Sequence, residues 1–481
     1  MLGGTLREGR RAAGRHFRFL SSTGFFIGFS SAALAQVAVI GGPAGPPLTP
    51  PPVITADDVK LASGLQLAQV GTIGGPVGPG ITPPPVETGR PSEFAAPKRE
   101  RTALALDDWQ IYPTAFGGFF YDTNPAQSPI ATSSFGVRAV PSFLAERADG
   151  IHKTSLYGMA DARFFFRDVE NTNNIINAKA GATEIYQPLE DLVLSGQLDF
   201  TRTRDLFAIF GVDRSLTPLN PTGVGLSPTT NPVSYNQIVA NASVQKNFSE
   251  AFLIGSGSVL GIVYDKSTVP APSPDGVIYT GTLRGGYWIV PVLYGYAEGA
   301  LDRRQYATHT LSSSGYHITT GVGSDQVGLF KGEAYVGYQS EIGDASAFGT
   351  QSGVAFGGQL HYYPLPELTI DTAFGRSIGV SLLANTAGSI GTATTVTSIV
   401  QQANYQLAQE WSLLGRAGFI HTDYTGNVRQ DNSWTAGATL TYNLTQNLGI
   451  TLDFQHITLS SNVAFQSFDR DMITLGATYK Y

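Results

Sequence analysis

Thr474-Leu475-Gly476-Ala477-Thr478-Tyr479-Lys480-Tyr481 closes the chain. Leu475, Ala477, Tyr479 and Tyr481 share one parity; Thr474, Gly476, Thr478 and Lys480 share the other. Successive side chains of a strand point to opposite faces, so this alternation makes one apolar and one polar face. The same period runs from Trp434 to Tyr442, where even positions are apolar and odd ones small or polar. Leu192, Leu194, Leu198 and Phe200 oppose Ser195, Gln197, Asp199 and Thr201. Ile450, Leu452 and Phe454 oppose Thr451, Asp453 and Gln455. The chain reads as all-β.

Composition narrows the kind of β protein. Charged residues are 14% of the 481 and hydrophobic residues 42%, against roughly 25% charged in a typical soluble domain. The difference is made up by 56 glycines and by Ser, Thr, Asn and Gln, with 21 tyrosines and 27 phenylalanines among the apolar residues. Beyond the N-terminal signal no stretch of 18 apolar residues occurs, so the sequence offers no further transmembrane helix. Low charge, moderate hydrophobicity and abundant aromatics suit a transmembrane β-barrel. There is no cysteine, which fits an oxidising envelope compartment and removes thiolate metal sites. A net charge of -7 argues against a nucleic-acid partner.

A soluble β-sandwich also alternates, and connector lengths separate the two. Tight turns are expected near Asp149-Gly150, Pro188 to Asp191, Asn247 to Glu250, Pro291, Ser324-Asp325, Pro364 to Glu367, Gln409-Glu410 and Asn443 to Asn447. Longer polar connections fall at 122–129, 168–178, 206–232, 265–276, 304–315, 341–349, 378–394, 424–430 and 459–468. Short periplasmic turns alternating with long outer loops are the rhythm of bacterial outer-membrane barrels. Eight turns and nine loops predict about 18 strands, with 16 the alternative, in an antiparallel up-and-down transmembrane β-barrel over 107–481. The terminal strand then resembles the C-terminal β-signal read by the outer-membrane assembly machinery. It has a polar residue, Gly476 two positions on, and aromatics at Tyr479 and Tyr481. That resemblance implies the β-barrel assembly machinery as a partner, beside outer-membrane lipid.

Two other materials precede the barrel. Residues 1–35 have a basic start (Arg7, Arg10, Arg11, Arg15, Arg18), an apolar stretch from Phe19 to Leu34, and Ala33-Leu34-Ala35 before Gln36. This is the pattern of a signal peptide cleaved near Ala35, and it places the mature chain in the bacterial outer membrane. Residues 36–106 are Pro/Gly-rich. The stretch from Leu34 to Ala56 recurs from Leu67 to Gly89, matching Ile40-Gly41-Gly42-Pro43 with Ile73-Gly74-Gly75-Pro76. Proline runs such as Pro50-Pro51-Pro52 exclude helices, so this segment reads as an extended or disordered periplasmic linker, able to dock a periplasmic partner.

Parity assigns the charges to the lumen, because a mid-bilayer Arg or Lys facing lipid costs roughly 2–4 kcal/mol. The pore-lining candidates are Arg138, Asp161, Arg163, Arg167, Asp199, Arg284, Glu298, Arg304, Lys331, Glu333, Arg416 and Asp453. Lys179, Asp302 and Asp371 share their parity, as do the tyrosines 157, 294, 296 and 335, which have the shape to stack on sugar rings. Such charges either line an aqueous, selective channel or pair into a network that fills the lumen. Trp109, Trp411, Trp434, Tyr479 and Tyr481 fall on the apolar parity near strand ends, where aromatics anchor at membrane interfaces.

No catalytic constellation stands out. The seven histidines form neither HxH nor HExxH, and no G-x-S-x-G elbow or phosphate-loop lysine motif occurs, so neither enzyme nor cofactor nor metal is expected. The opening Gly117-Gly118-Phe119-Phe120-Tyr121-Asp122-Thr123-Asn124-Pro125 resembles that of the bacterial β-barrel porin family of outer-membrane proteins, whose aromatic strand ends in Tyr-Asp-x-Asn. The resemblance implies a porin-like architecture over about 108–481, and an association of some members with exopolysaccharide export. Three functions follow as expectations. They are a porin-like channel for passive diffusion of small hydrophilic solutes, a polysaccharide-export barrel with periplasmic partners, and a closed structural or adhesive surface barrel.

Overall fold

The last strand of the sheet hydrogen-bonds to the first long one. In the computed structural model, β2 (Trp109–Asp122) pairs antiparallel with β19 (Phe468–Lys480), from Met472↔Asp122 to Lys480↔Thr114. From β2 onward each strand also pairs with its successor. The 19-stranded sheet is therefore a closed antiparallel ring of 18 plus the short β1 (Leu104–Leu106), which folds back on Trp109–Ile111. The structure describes residues 103–167, 174–204, 234–265, 275–307, 309–345, 349–384, 390–425, 429–463 and 467–481. The expected signal peptide, the linker up to residue 102 and the 206–232 loop lie outside the described residues.

Eighteen ring strands match the connector rhythm, and most boundaries fall within a few residues of their expected places. Three differ. Leu104–Leu106 was expected in the linker but pairs with β2, on the edge that β19 leaves open below Thr114. The turn expected at Ser324-Asp325 lies at 328–329, between β11 (Ser313–Val327) and β12 (Phe330–Gly343). There Gly328 supplies a φ of 62°, a conformation Ser and Asp adopt less readily. The 378–394 connection shrinks to 385–389, because its Ser, Thr and Val residues suit strands and extend β14 (Leu368–Ala384) and β15 (Ile390–Gln406).

Alternation sorts the side chains. In β10 (Leu293–Tyr306), Tyr294, Tyr296, Glu298, Ala300, Asp302, Arg304 and Tyr306 are buried inside the ring, while Ala297 and Leu301 are exposed outside it. Leu301, Phe119 and Ile318 are 64–70% exposed, as lipid-facing residues are. The polarity of a soluble domain is thereby inverted, with Arg163 and Arg284 among the largest fully buried side chains.

One ladder stops early. β13 (Thr350–Leu365) pairs with β14 only up to Phe356↔Arg376. Above that point Thr350–Ala355 remains bonded to β12, and β14 remains bonded to β15 as far as Ala384↔Ile390, but not to β13. Ile378, Thr395 and Ala393 have the outward parity of this hairpin, yet are only 4%, 6% and 1% exposed. The upper part of the β14–β15 hairpin has therefore left the lipid-facing surface and leans into the barrel.

Candidate functional site: the barrel interior

The inward parity collects arginines and acids into discrete knots. On β3 (Ser134–Ala148), Arg138 donates through Nε and Nη2 to Asp161 at 2.8 and 3.0 Å. Asp161 lies on β4 (His152–Phe165) and also accepts from Arg163 Nη2 at 3.0 Å. Arg284 of β9 (Gly276–Val290) bridges two acids, Glu298 at 2.8 Å and Glu333 at 3.0 Å. His317 reaches Glu298 at 3.2 Å, and the Arg284 guanidinium lies 4.0 Å from the Tyr296 ring centroid. Arg304 contacts Asp302 at 2.9 Å and Glu341 at 3.1 Å. Lys179 lies 3.8 Å from Asp199, which also accepts from Tyr157. Arg416 of β16 (Trp411–Tyr424) pairs with Asp453 of β18 (Leu448–Ser461), which also accepts from Thr439.

Two pore-lining candidates sit apart from these knots. Arg167 lies beyond the end of β4 and is exposed; the alternation that assigned it does not continue into the loop. Lys331 is half-buried one residue into β12, beside the short turn.

Parity reasoning missed two further pairs. Arg429 donates to Asp431 at 2.6–2.9 Å, and Tyr424 donates to the same carboxylate. Arg470 clasps Asp122 at 2.7 Å. All four charged residues lie at strand ends, where sequence alternation gives way to loops. Asp122 was in view as part of Tyr121-Asp122-Thr123-Asn124, and the structure shows what those residues do. The Asp122 carboxylate receives Arg470 and the Asn124 N–H, while Asn124 Nδ2 donates to the Asp469 carbonyl at 3.0 Å. They fasten the first ring strand to the last.

Aromatics divide by face. Tyr294 and Tyr296 pack inside with Phe252, Ile254 and Trp288, and Tyr335 lies against them. A Cβ on Gly323 would meet the Tyr294 ring at 2.1 Å, so the ring occupies the space that only glycine leaves free. Trp411, Trp434, Tyr479 and Tyr481 are exposed outside at 39–55%, and Trp109 is half-buried. Trp411 lies beside Tyr442 and Trp434 beside Phe419, with centroids 4.5 and 4.4 Å apart. Gly476 sits under the Phe116 ring at the closing seam.

The leaning hairpin reaches into this interior. Arg304 donates to the Ile378 carbonyl of β14 at 3.3 and 3.4 Å. Four strand spacings separate β10 from β14 along the wall, about 19 Å and beyond the reach of one arginine. β14 must therefore lie well inside the ring at that height. The turn at His309–Leu311 also comes against β15. On the loop side, hydrogen bonds from Arg303 hold the Asp344 carboxyl below its usual range.

The sequence profile of the family described as Putative beta-barrel porin 2 matches residues 105–481, the whole barrel. The chain belongs to that family. This porin-family barrel is accordingly an outer-membrane protein. Among solved structures it is similar to a BenF-like porin from Pseudomonas fluorescens Pf-5, at 12% identity over 78% of this chain and 100% of that one, with a TM-score of 0.43. It is also similar to an anion-selective porin from Comamonas acidovorans, at 10% identity over 78% and 99% and a TM-score of 0.31. A siderophore receptor, PirA from Acinetobacter baumannii, is similar at 8% identity over 76% and 80%, with a TM-score of 0.35. No curated protein matches the sequence.

Proposed function

We propose that this barrel is a channel for passive diffusion of small hydrophilic solutes across the outer membrane. A single observation carries the reading: a closed ring of 18 strands turns its charged side chains inward and its apolar side chains to lipid. Eighteen strands enclose a lumen wide enough for water, and polar walls lower the barrier to polar solutes. The leaning β14–β15 hairpin and the Arg304 knot form a constriction at the loop end, where size and charge are selected. A channel is favoured over an enzyme, because the interior carboxylates of the Arg138, Arg284 and Arg304 knots serve as partners for arginines. The chain enters β2 at the short-turn end, which suits the Pro/Gly segment to a periplasmic spacer and docking site. Tyr479 and Tyr481, exposed on the last strand, suit recognition by the assembly machinery.

The test is planar-bilayer recording of the refolded full chain. Steady ohmic steps are expected from the chain alone. Silence until a polysaccharide or the Pro-rich segment's partner is added would replace diffusion with export, and silence throughout would leave a closed surface barrel.

A further inference from the structure

We propose that the open seam between β13 and β14 binds an anionic amphiphile, a molecule with a phosphate or carboxylate head and an apolar tail, with Arg376 as the anion ligand. This goes beyond the axial channel and does not depend on whether the lumen conducts.

Arg376 is the last residue of β14 that pairs with β13. Its parity is outward: Ala373 and Ser377 on the opposite parity are buried inside, and Ile399, beside its partner Thr397, is 47% exposed. The interior arginines at 138, 163, 284, 304, 416, 429 and 470 each pair with an acid. Among the described residues no acidic side chain pairs with Arg376. Its neighbours across the ladders are Phe356 and Thr397, with Phe374 two residues before it on the same face. It stands nine residues past Glu367 in the short turn, and a strand crosses the bilayer in about 9–11 residues. The guanidinium is thus level with the outer-leaflet headgroups.

Immediately above it the wall is unzipped. The facing edges of Thr350–Ala355 and Ser377–Ala384 carry no ladder to each other, and Arg304 takes up the Ile378 carbonyl from inside. Val354, 51% exposed, borders the gap. A planar guanidinium binds phosphate and carboxylate oxygens in pairs, and an unpaired strand edge offers further N–H donors. Phe356 beside the head and Phe374 below it begin an apolar track for the tail, while Val354 lies above, at the mouth of the gap. Arg376 is an unmatched cation at headgroup height, with a break in the wall beside it and an apolar strip leading from it. Together they specify a head and a tail.

The chain has no cysteine, so Val354→Cys reports occupancy of the seam by its rate of maleimide labelling. The full chain is refolded into phosphatidylcholine nanodiscs and labelled with dodecyl phosphate, dodecanol or inorganic phosphate present, and in discs containing lipid A. Dodecyl phosphate is expected to slow labelling saturably, while dodecanol and inorganic phosphate at equal concentration leave it unchanged. Adding Arg376→Gln should weaken this protection about tenfold or more, the loss of one charge-assisted hydrogen-bonded pair. Arg376→Lys should retain part of it. Protection by lipid A would identify the natural occupant as a resident glycolipid; protection by dodecyl phosphate alone would identify a diffusing single-chain amphiphile. Equal protection by dodecanol, or protection undiminished in Arg376→Gln, overturns the proposal. Heat-modifiable gel migration confirms that each variant is folded, and Arg376→Lys keeps the test open if the glutamine variant is not.

Discussion

Arg470 on β19 donates through Nε and Nη2 to Asp122 on β2 at 2.7–3.1 Å, across 348 positions of sequence. Both side chains are at most 5% exposed. Among the described strands, the pair locks the one ladder whose partners are not neighbours along the chain. Removing one partner of a buried pair strands the other charge and costs about 3–5 kcal/mol. Arg470→Ala should therefore lower the urea midpoint of the refolded barrel, with a smaller loss for Asn124→Ala, which removes only neutral hydrogen bonds. An unchanged midpoint for Arg470→Ala would mean that the clasp contributes nothing to closure.

Arg284 holds two acids, so its loss should exceed the loss of either acid. Arg284→Met strands both Glu298 and Glu333, whereas Glu298→Gln leaves Arg284 on Glu333. Adding Glu298→Gln and Glu333→Gln to Arg284→Met should recover stability, a non-additivity typical of residues in one network. The thermal midpoint of the SDS-resistant form reads this order; additive losses would contradict it.

Tyr294 and Gly323 face each other across β10 and β11, with the ring over the bare Cα. Gly323→Val should cost about 1–3 kcal/mol by overpacking. Tyr294→Ala in the same chain should recover part of that cost. If the two losses simply add in denaturant titrations, the ring does not depend on the glycine.

Arg304 is one contact by which β10 holds the leaning hairpin from inside the ring. In Arg304→Ala the hairpin loses that hold, and single-channel traces should become noisier or larger in amplitude. Traces indistinguishable from those of the unaltered chain would show that other contacts keep the hairpin in place.

Much of the ring was legible because lipid imposes a two-residue period and export imposes short and long connectors. Alternation sorted the Leu192–Phe200 and Trp434–Tyr442 faces, and the connectors counted 18 strands. The signal failed where its physics fails. Arg167 was carried past the strand end by extrapolated parity, and Asp122, Arg429, Asp431 and Arg470 lie where alternation ends. Gly328 makes its turn through a backbone angle, which Ser324-Asp325 only resembled in polarity. The leaning of β14 was illegible for another reason. Ile378 has outward parity and an apolar side chain, and it is the missing β13 pairing, its burial and the Arg304 bond to its carbonyl that place it inside. Which arginine meets which acid depends on ring closure and tilt, which no local pattern encodes.

Closure also means that the ring has no topological beginning. Trp109 and Tyr481 both lie at the short-turn end, on adjacent antiparallel strands, with β2 extending five residues below its pairing with Lys480. That overhang is about 17 Å. A short flexible peptide joining the two ends would act as a ninth turn, and cutting the chain at any of the other eight would preserve every ladder of the ring. Such circular permutants would separate what builds the barrel from what delivers it, since each would end on a different strand from the one now carrying Tyr479 and Tyr481.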